Sequence, residues 1–127
     1  IFGGYCSQRP VNQDEYFGDE NCFIFSLVPV CRSYRPADPL SFRNFVYFST
    51  RDKPGLGFGG STPDKCRIWI DPKMTTHSYA TDEADNTYCS GPLAQGSTRD
   101  NFQITDVEIW VFGDQSLQTQ VESNCNQ

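Results

Sequence analysis

Apolar residues along this chain fall in short alternating runs, cut by eight prolines and ten glycines. That pattern predicts many short strands and no helix of ordinary length. Ile1–Cys6 is the first predicted strand, with a Gly3-Gly4 pair where a bulge or close backbone approach is expected. Ser7–Asn21 reads as a polar loop carrying Tyr16, Phe17 and the acidic pair Asp19-Glu20. In Cys22–Val28, Phe23, Phe25 and Leu27 share one face while Ile24 and Ser26 take the other. Pro29 ends that strand or marks a sheet edge, and Cys31–Arg35 continues it before Pro36 and Pro39 force an irregular turn.

Asn44–Ser49 is a further strand, and Pro54 to Gly60 (PGLGFGG) reads as a tight crossing governed by glycine. Cys66–Ile70 (CRIWI) is a short core strand stopped by Asp71-Pro72, and Met74 to Tyr88 reads as a polar surface run. Phe102–Phe112 (FQITDVEIWVF) is apolar on both faces, which predicts the longest and most central strand. The expected core is Trp69, Trp110, Phe23 and Phe25. Residues 114–127 form a polar tail in which Leu117, Thr119 and Val121 alternate. The sum is one all-β domain, a β-sandwich of short antiparallel strands with few or no helices.

Composition narrows the function. At 127 residues, with ten Phe, six Tyr and two Trp, the chain suits one domain with one core. Its net charge of −6, with basic residues scattered, leaves no basic face for nucleic acid or an anionic membrane surface. No apolar run approaches the ~20 residues of a spanning helix. Six cysteines (Cys6, Cys22, Cys31, Cys66, Cys89, Cys125) suit three disulfides and an oxidising compartment, with 15 connectivities open. Buried free thiols in a reduced compartment are the alternative.

The chemistry of an enzyme is hard to assemble from these residues. The single histidine, His77, lies in a polar stretch without a nucleophile motif to serve. No two cysteines stand at zinc-ligand spacing, so no metal and no cofactor is expected. Asp82-Glu83-Ala84-Asp85 spells a helicase box, but the phosphate-binding loop that chemistry requires is missing. Gly55 to Gly60 mimics a nucleotide loop without the following helix, so backbone close packing is its expected role. Glu108, between Val107 and Ile109, is expected to be a buried structural anchor rather than a catalytic acid, beside Trp110 and Trp69.

Several blocks in order resemble one family. Ile1-Phe2-Gly3-Gly4-Tyr5 is followed by Gly18-Asp19-Glu20-Asn21-Cys22-Phe23-Ile24-Phe25-Ser26-Leu27. Then come Gly57-Phe58-Gly59-Gly60, Cys66–Ile70, Phe102-Gln103-Ile104 and Val107-Glu108-Ile109-Trp110. Together these resemble the C-terminal two-thirds of a TLDc domain over residues 1–113. The resemblance implies a β-sandwich flanked by helices, without an accepted catalytic site. Members of that family are tied to oxidative-stress resistance and to binding the vacuolar proton pump. Glu108 falls at the family's characteristic glutamate. Cys6 and Cys22 replace small residues of that pattern on strands that are neighbours in the family, which fits a cross-strand disulfide.

The expected function is a non-catalytic interaction or structural module, disulfide-stabilised and extracellular or at the cell surface. Its expected partner is a protein, including another copy of itself. If the chain starts at Ile1, the open edge beside Ile1–Cys6 invites the Leu117–Val121 segment of another copy, giving a filament that Cys125 could lock. The alternative is a cytoplasmic TLDc module that protects against oxidation and binds the proton pump.

Overall fold

Strand-forming runs this short bury apolar surface only by stacking sheets, and a computed structural model of the chain shows two. It describes residues 1–12, 14–74, 77–89, 91–93, 101–102 and 104–113. The strands are β1 (Phe2–Tyr5), β2 (Tyr16–Phe17), β3 (Phe23–Ser26), β4 (Arg32–Tyr34), β5 (Val46–Ser49), β6 (Gly55–Phe58), β7 (Ile68–Ile70), β8 (Ser78–Ala80) and β9 (Asn101–Phe102). A three-stranded sheet runs β1-β3-β4 and a six-stranded sheet runs β2-β5-β6-β7-β8-β9. Every pairing is antiparallel. A single 3-10 turn at Pro63–Lys65 is the only helical element among the described residues, so the fold is all-β as expected.

The six-stranded sheet buries both faces. One cross-strand row, Phe17–Val46–Phe58–Ile68–Ala80, points at the smaller sheet. It meets Cys22 and Ile24 of that sheet, with Phe2, Cys6 and Tyr34 packed alongside. The next row, Tyr16–Tyr47–Gly57–Trp69–Tyr79, turns the other way and builds an aromatic cluster around Cys66. Tyr47 and Trp69 ring centroids lie 6.1 Å apart, and Lys53 Nζ sits 5.1 Å from the Trp69 ring.

Glycine is what makes β6 a strand. A Cβ on Gly57 would lie 2.6 Å from Cys66 Sγ and 3.0 Å from the Trp69 ring. A Cβ on Gly55 would run into the same indole. The predicted crossing at Pro54–Gly60 is therefore a central strand that Trp69 lies across, followed by a turn at Gly59 and Gly60. The mirror case is Gly4, whose absent Cβ leaves room for the Phe58 ring between the sheets.

Other expectations differ from the structure. The run Cys31–Arg35 does not extend β3 but folds back on it as β4, pairing Ile24 with Tyr34. Phe23 and Phe25 are half-buried on the outer face of the small sheet, because Cys22, Ile24 and Ser26 take the core side. There Phe23 stacks on Tyr5 at 5.0 Å under the Arg35 guanidinium. Met74–Tyr88 is not a surface run: Ser78, Tyr79 and Ala80 are all buried in β8. Of the long strand predicted at Phe102–Phe112, only Phe102 lies in a described strand, β9. Residues 104–113 are paired with no described strand, and Trp110 is 73% exposed rather than in the core.

The thiols also differ from expectation. Cys6, Cys22, Cys31 and Cys89 are free thiols, so the six cysteines do not form the three-bridge framework. The geometry separates most of them. Cys66 lies in the aromatic cluster outside the inter-sheet core, while Cys31 and Cys89 sit exposed. Cys125, Leu117, Thr119 and Val121 fall outside the described residues.

Gly57→Ala should lower stability by ~1–3 kcal/mol, because the added methyl meets the Cys66 sulfur and the Trp69 ring. Urea unfolding followed by near-ultraviolet dichroism reads it as a lower midpoint at unchanged slope. An unshifted midpoint would contradict the packing of Trp69 on β6.

Candidate functional site

Arg67 stands mid-sequence between Cys66 and Ile68 and is only 1% exposed. A guanidinium that deep must satisfy all its donors, since burying an unpaired charge costs several kcal/mol. It does so against the loop from Thr81 to Leu93. Nε donates to the Thr81 carbonyl at 2.8 Å, Nη2 to the Gly91 carbonyl at 2.9 Å, and Nη1 to the Cys89 carbonyl. Nη1 also lies 3.5 Å from Asp85 Oδ1, and the guanidinium carbon rests 5.7 Å from the Tyr34 ring of the other sheet. Burial draws the Arg67 pKa down, opposed first by Asp85 and then by Asp82.

Asp85 is the other half of the clamp. Its carboxylate accepts from the backbone N–H of Gly60 at 3.0 Å, Thr87 at 3.2 Å and Tyr88 at 3.1 Å. Asp82 accepts from Leu93 N–H at 2.7 Å, while the Tyr88 hydroxyl donates to the Phe45 carbonyl at 3.0 Å. Tyr34 closes the far end by donating to the Pro92 carbonyl at 3.1 Å. One buried ion pair thus pins an irregular loop onto both sheets.

A cleft of about 290 Å³ opens beside the pair, bounded by Gly60, Ser61, Lys65, Thr81, Glu83 and Asn86. Its buried groups are engaged in structure. Cys66 reaches its lining, but its sulfur meets the Pro63 carbonyl at 3.6 Å and the Tyr16 hydroxyl at 3.5 Å. Burial raises the Tyr16 phenol well above its ordinary value, so neither neighbour serves that thiol as a base. His77 is exposed and does not line the cleft. No group of three metal-ligating side chains converges among the described residues.

Exposed apolar side chains define a second feature. Ile1, Leu27, Val28 and Val30 are 71%, 50%, 54% and 37% exposed at one end of the small sheet. Backbone bonds hold them together: Leu27 N–H donates to the Ile1 carbonyl at 2.8 Å, and the Ile1 amino group donates to the Val28 carbonyl at 2.8 Å. Arg32 is exposed on the adjoining strand β4. Clustered exposed apolar residues of this kind mark contact surfaces.

The residues singled out in the sequence are scattered across this picture. Trp69 lies in the aromatic cluster. Glu108 is exposed and accepts a hydrogen bond from Trp110 Nε1 at 3.2 Å, so the two contact each other rather than a common core. Sequence reasoning missed Arg67 and saw in Asp82 and Asp85 only a helicase box without its phosphate loop. The signal was available at Arg67: a lone charge inside the apolar run CRIWI, the same argument that was applied to Glu108.

Arg67→Met should cost about 3–5 kcal/mol by leaving Asp85 buried without its partner. Adding Asp85→Asn to that variant should cost much less than Asp85→Asn alone, a coupling of ~1–3 kcal/mol in a urea double-mutant cycle. Additive losses would mean the pair is not the clamp described.

Comparison with known proteins fits this architecture. The family model described as the TLDc domain matches residues 1–113. The human MTOR-associated protein MEAK7 is 27% identical over 125 residues, which is 98% of this chain and 26% of that protein. MEAK7 of Gallus gallus is 31% identical over 116 residues, 90% of this chain and 24% of that protein. Oxidation resistance protein 1 of Schizosaccharomyces pombe is 28% identical over 113 residues, 88% of this chain and 56% of that protein. The chain thus spans about a quarter of the MEAK7 relatives and just over half of the yeast protein. With its strand blocks in order and the match running across most of its length, the chain belongs to the TLDc domain family.

Proposed function

We propose that this chain is a non-catalytic protein-interaction module of a cytoplasmic TLDc protein acting in resistance to oxidative stress. The observation that carries it is an apolar contact surface on a domain whose buried charges are consumed by structure. Ile1, Leu27, Val28 and Val30 offer exposed apolar area, whereas Arg67 and Asp85 are fully engaged within the fold. Relatives named for oxidation resistance and for association with MTOR support a role exercised through protein contacts. The free thiols of Cys6, Cys22, Cys31 and Cys89 support a reduced compartment over a secreted one. The partner is a protein. The vacuolar proton pump implied by the family resemblance and an MTOR assembly are the two candidates to test. The extracellular, self-assembling reading has no observation behind it among the described residues.

The test uses fission yeast lacking its own oxidation resistance protein 1, complemented with a full-length protein that carries this chain. The wild-type protein should restore growth under peroxide. Leu27→Asp with Val28→Asp should abolish that protection while leaving thermal unfolding of the purified protein within ~3 °C of wild type, as surface substitutions usually do. Full protection by the double variant would overturn the assignment of this surface. Catalytic peroxide consumption by the purified protein would overturn the non-catalytic reading.

A further inference from the structure

The register of the small sheet places two cysteines against each other. β1 and β3 pair Phe2 with Ser26, Gly3 with Phe25, Gly4 with Ile24 and Tyr5 with Phe23, and one further step sets Cys6 opposite Cys22. Leu27 N–H donates to the Ile1 carbonyl, which makes Ile1–Leu27 a hydrogen-bonded pair. Alternation along an antiparallel ladder then makes Gly4–Ile24 and Cys6–Cys22 pairs without hydrogen bonds, whose Cα atoms stand only ~4.5 Å apart with side chains close together. That spacing lies inside the range a disulfide spans without backbone movement. Both cysteines face the core: Cys22 is fully buried, and Cys6 packs half-buried against the same cluster.

Their surroundings differ in a way that assigns roles. The Cys22 sulfur is covered by Gly18, where a Cβ would come within 2.7 Å of it, and lies 3.2 Å from the Ser7 hydroxyl. Ser7 in turn holds the Asp19 carboxyl below its ordinary pKa by hydrogen bonding to it. Cys6 is the more accessible thiol. Among the described residues, the titratable groups whose charge reaches Cys6 and Cys22 include each other and Tyr88 from the clamped loop, whose phenol burial holds neutral.

We infer that Cys6 and Cys22 are a redox pair that closes to a cross-strand disulfide when the chain meets a small disulfide of the oxidised-glutathione class. The Cys6 thiolate attacks one sulfur of that reagent, its S–S bond breaks, and one reagent thiol leaves. Cys22 then attacks the Cys6 sulfur of the mixed disulfide and expels the second reagent sulfur as a thiolate, which takes up the proton that Cys22 loses. Two S–H bonds are lost, one S–S bond forms, and the reagent is reduced to two thiols.

Two consequences follow from the position of the pair. Burial, and then the neighbouring Cys22, push the Cys6 pKa up to about 12, so little thiolate exists near neutrality and closure is slow there. The new bond would also close the loop over residues 7–21, which carries β2 of the six-stranded sheet. It would therefore fasten β1 to β3 and shorten the tether between the two sheets. The inference does not depend on which protein the domain binds.

The experiment takes the full chain with Cys31, Cys89 and Cys125 changed to Ser, reduced and then exposed to oxidised glutathione. Non-reducing peptide mapping should recover the Cys6 and Cys22 peptides joined and lighter by two hydrogens. The melting temperature should rise by on the order of 10 °C, as closure of a loop this long predicts. The closure rate should climb about tenfold per pH unit from pH 7 to 10, following the thiolate of Cys6. In the same background Cys22→Ala should stop at a persistent Cys6–glutathione adduct with no rise in melting temperature. A different pairing, an adduct on Cys6 that never closes, or a pH-independent rate would overturn the inference. So would an unmodified Cys6 in the Cys22→Ala variant.

Discussion

The Arg67–Asp85 pair is the interaction on which the rest of the molecule depends. A charge inside the run from Cys66 to Ile70 is tolerable only because five polar groups converge on it: three carbonyls, a carboxylate and the face of Tyr34. Each is held in place by something else. The carbonyls belong to a loop without regular structure, and Asp85 is fixed by three backbone N–H groups. Removing either charge would strand the other in a medium that screens it poorly, which is why such a pair specifies one loop conformation even where its net stabilisation is small.

The glycines of β6 and of the turn after it serve the same centre. Gly59 and Gly60 adopt φ of 71° and 86°, a left-handed region that favours glycine, and the turn delivers Gly60 N–H to Asp85. Gly55 and Gly57 leave the space that Trp69 fills. The sheet can then bury aromatic residues on one face and aliphatic ones on the other. The glycine block shared with the family is therefore packing architecture, with no nucleotide-loop role in this chain.

A body fixed in this way separates what is rigid from what is available to a partner. The clamp, the aromatic cluster and the inter-sheet core absorb the buried charges and most of the aromatic residues. Among what remains exposed are the apolar end of the small sheet around Leu27 and Val28 and the accessible side of the Cys6–Cys22 pair. They flank opposite ends of the paired strands β1 and β3, the part of the fold joined to the larger sheet by the segment carrying β2. A contact surface and a thiol pair at the two ends of one strand pair are linked through the pairing of those strands.

The sequence alone determined the class of fold. Alternation with a period of two at Cys22–Val28, Asn44–Ser49 and Cys66–Ile70 reports which residues can share a sheet face, and that is a local property. It also determined the family, because the glycine and aromatic blocks keep their order. It left open which face of β3 is inner: Phe23 and Phe25 are larger and more apolar than Ser26, yet Ser26 faces the core. Only the sheet opposite decides that, through what Gly4 and Ile24 find across the gap. Tertiary structure likewise decided that PGLGFGG is a strand, since the space it leaves is filled by Trp69 from another strand. It placed Ser78–Ala80 inside and left Trp110 outside, because burial depends on which neighbours arrive. The partners of Arg67 come from residues 14 to 24 positions further along the chain, and no local pattern could have named them.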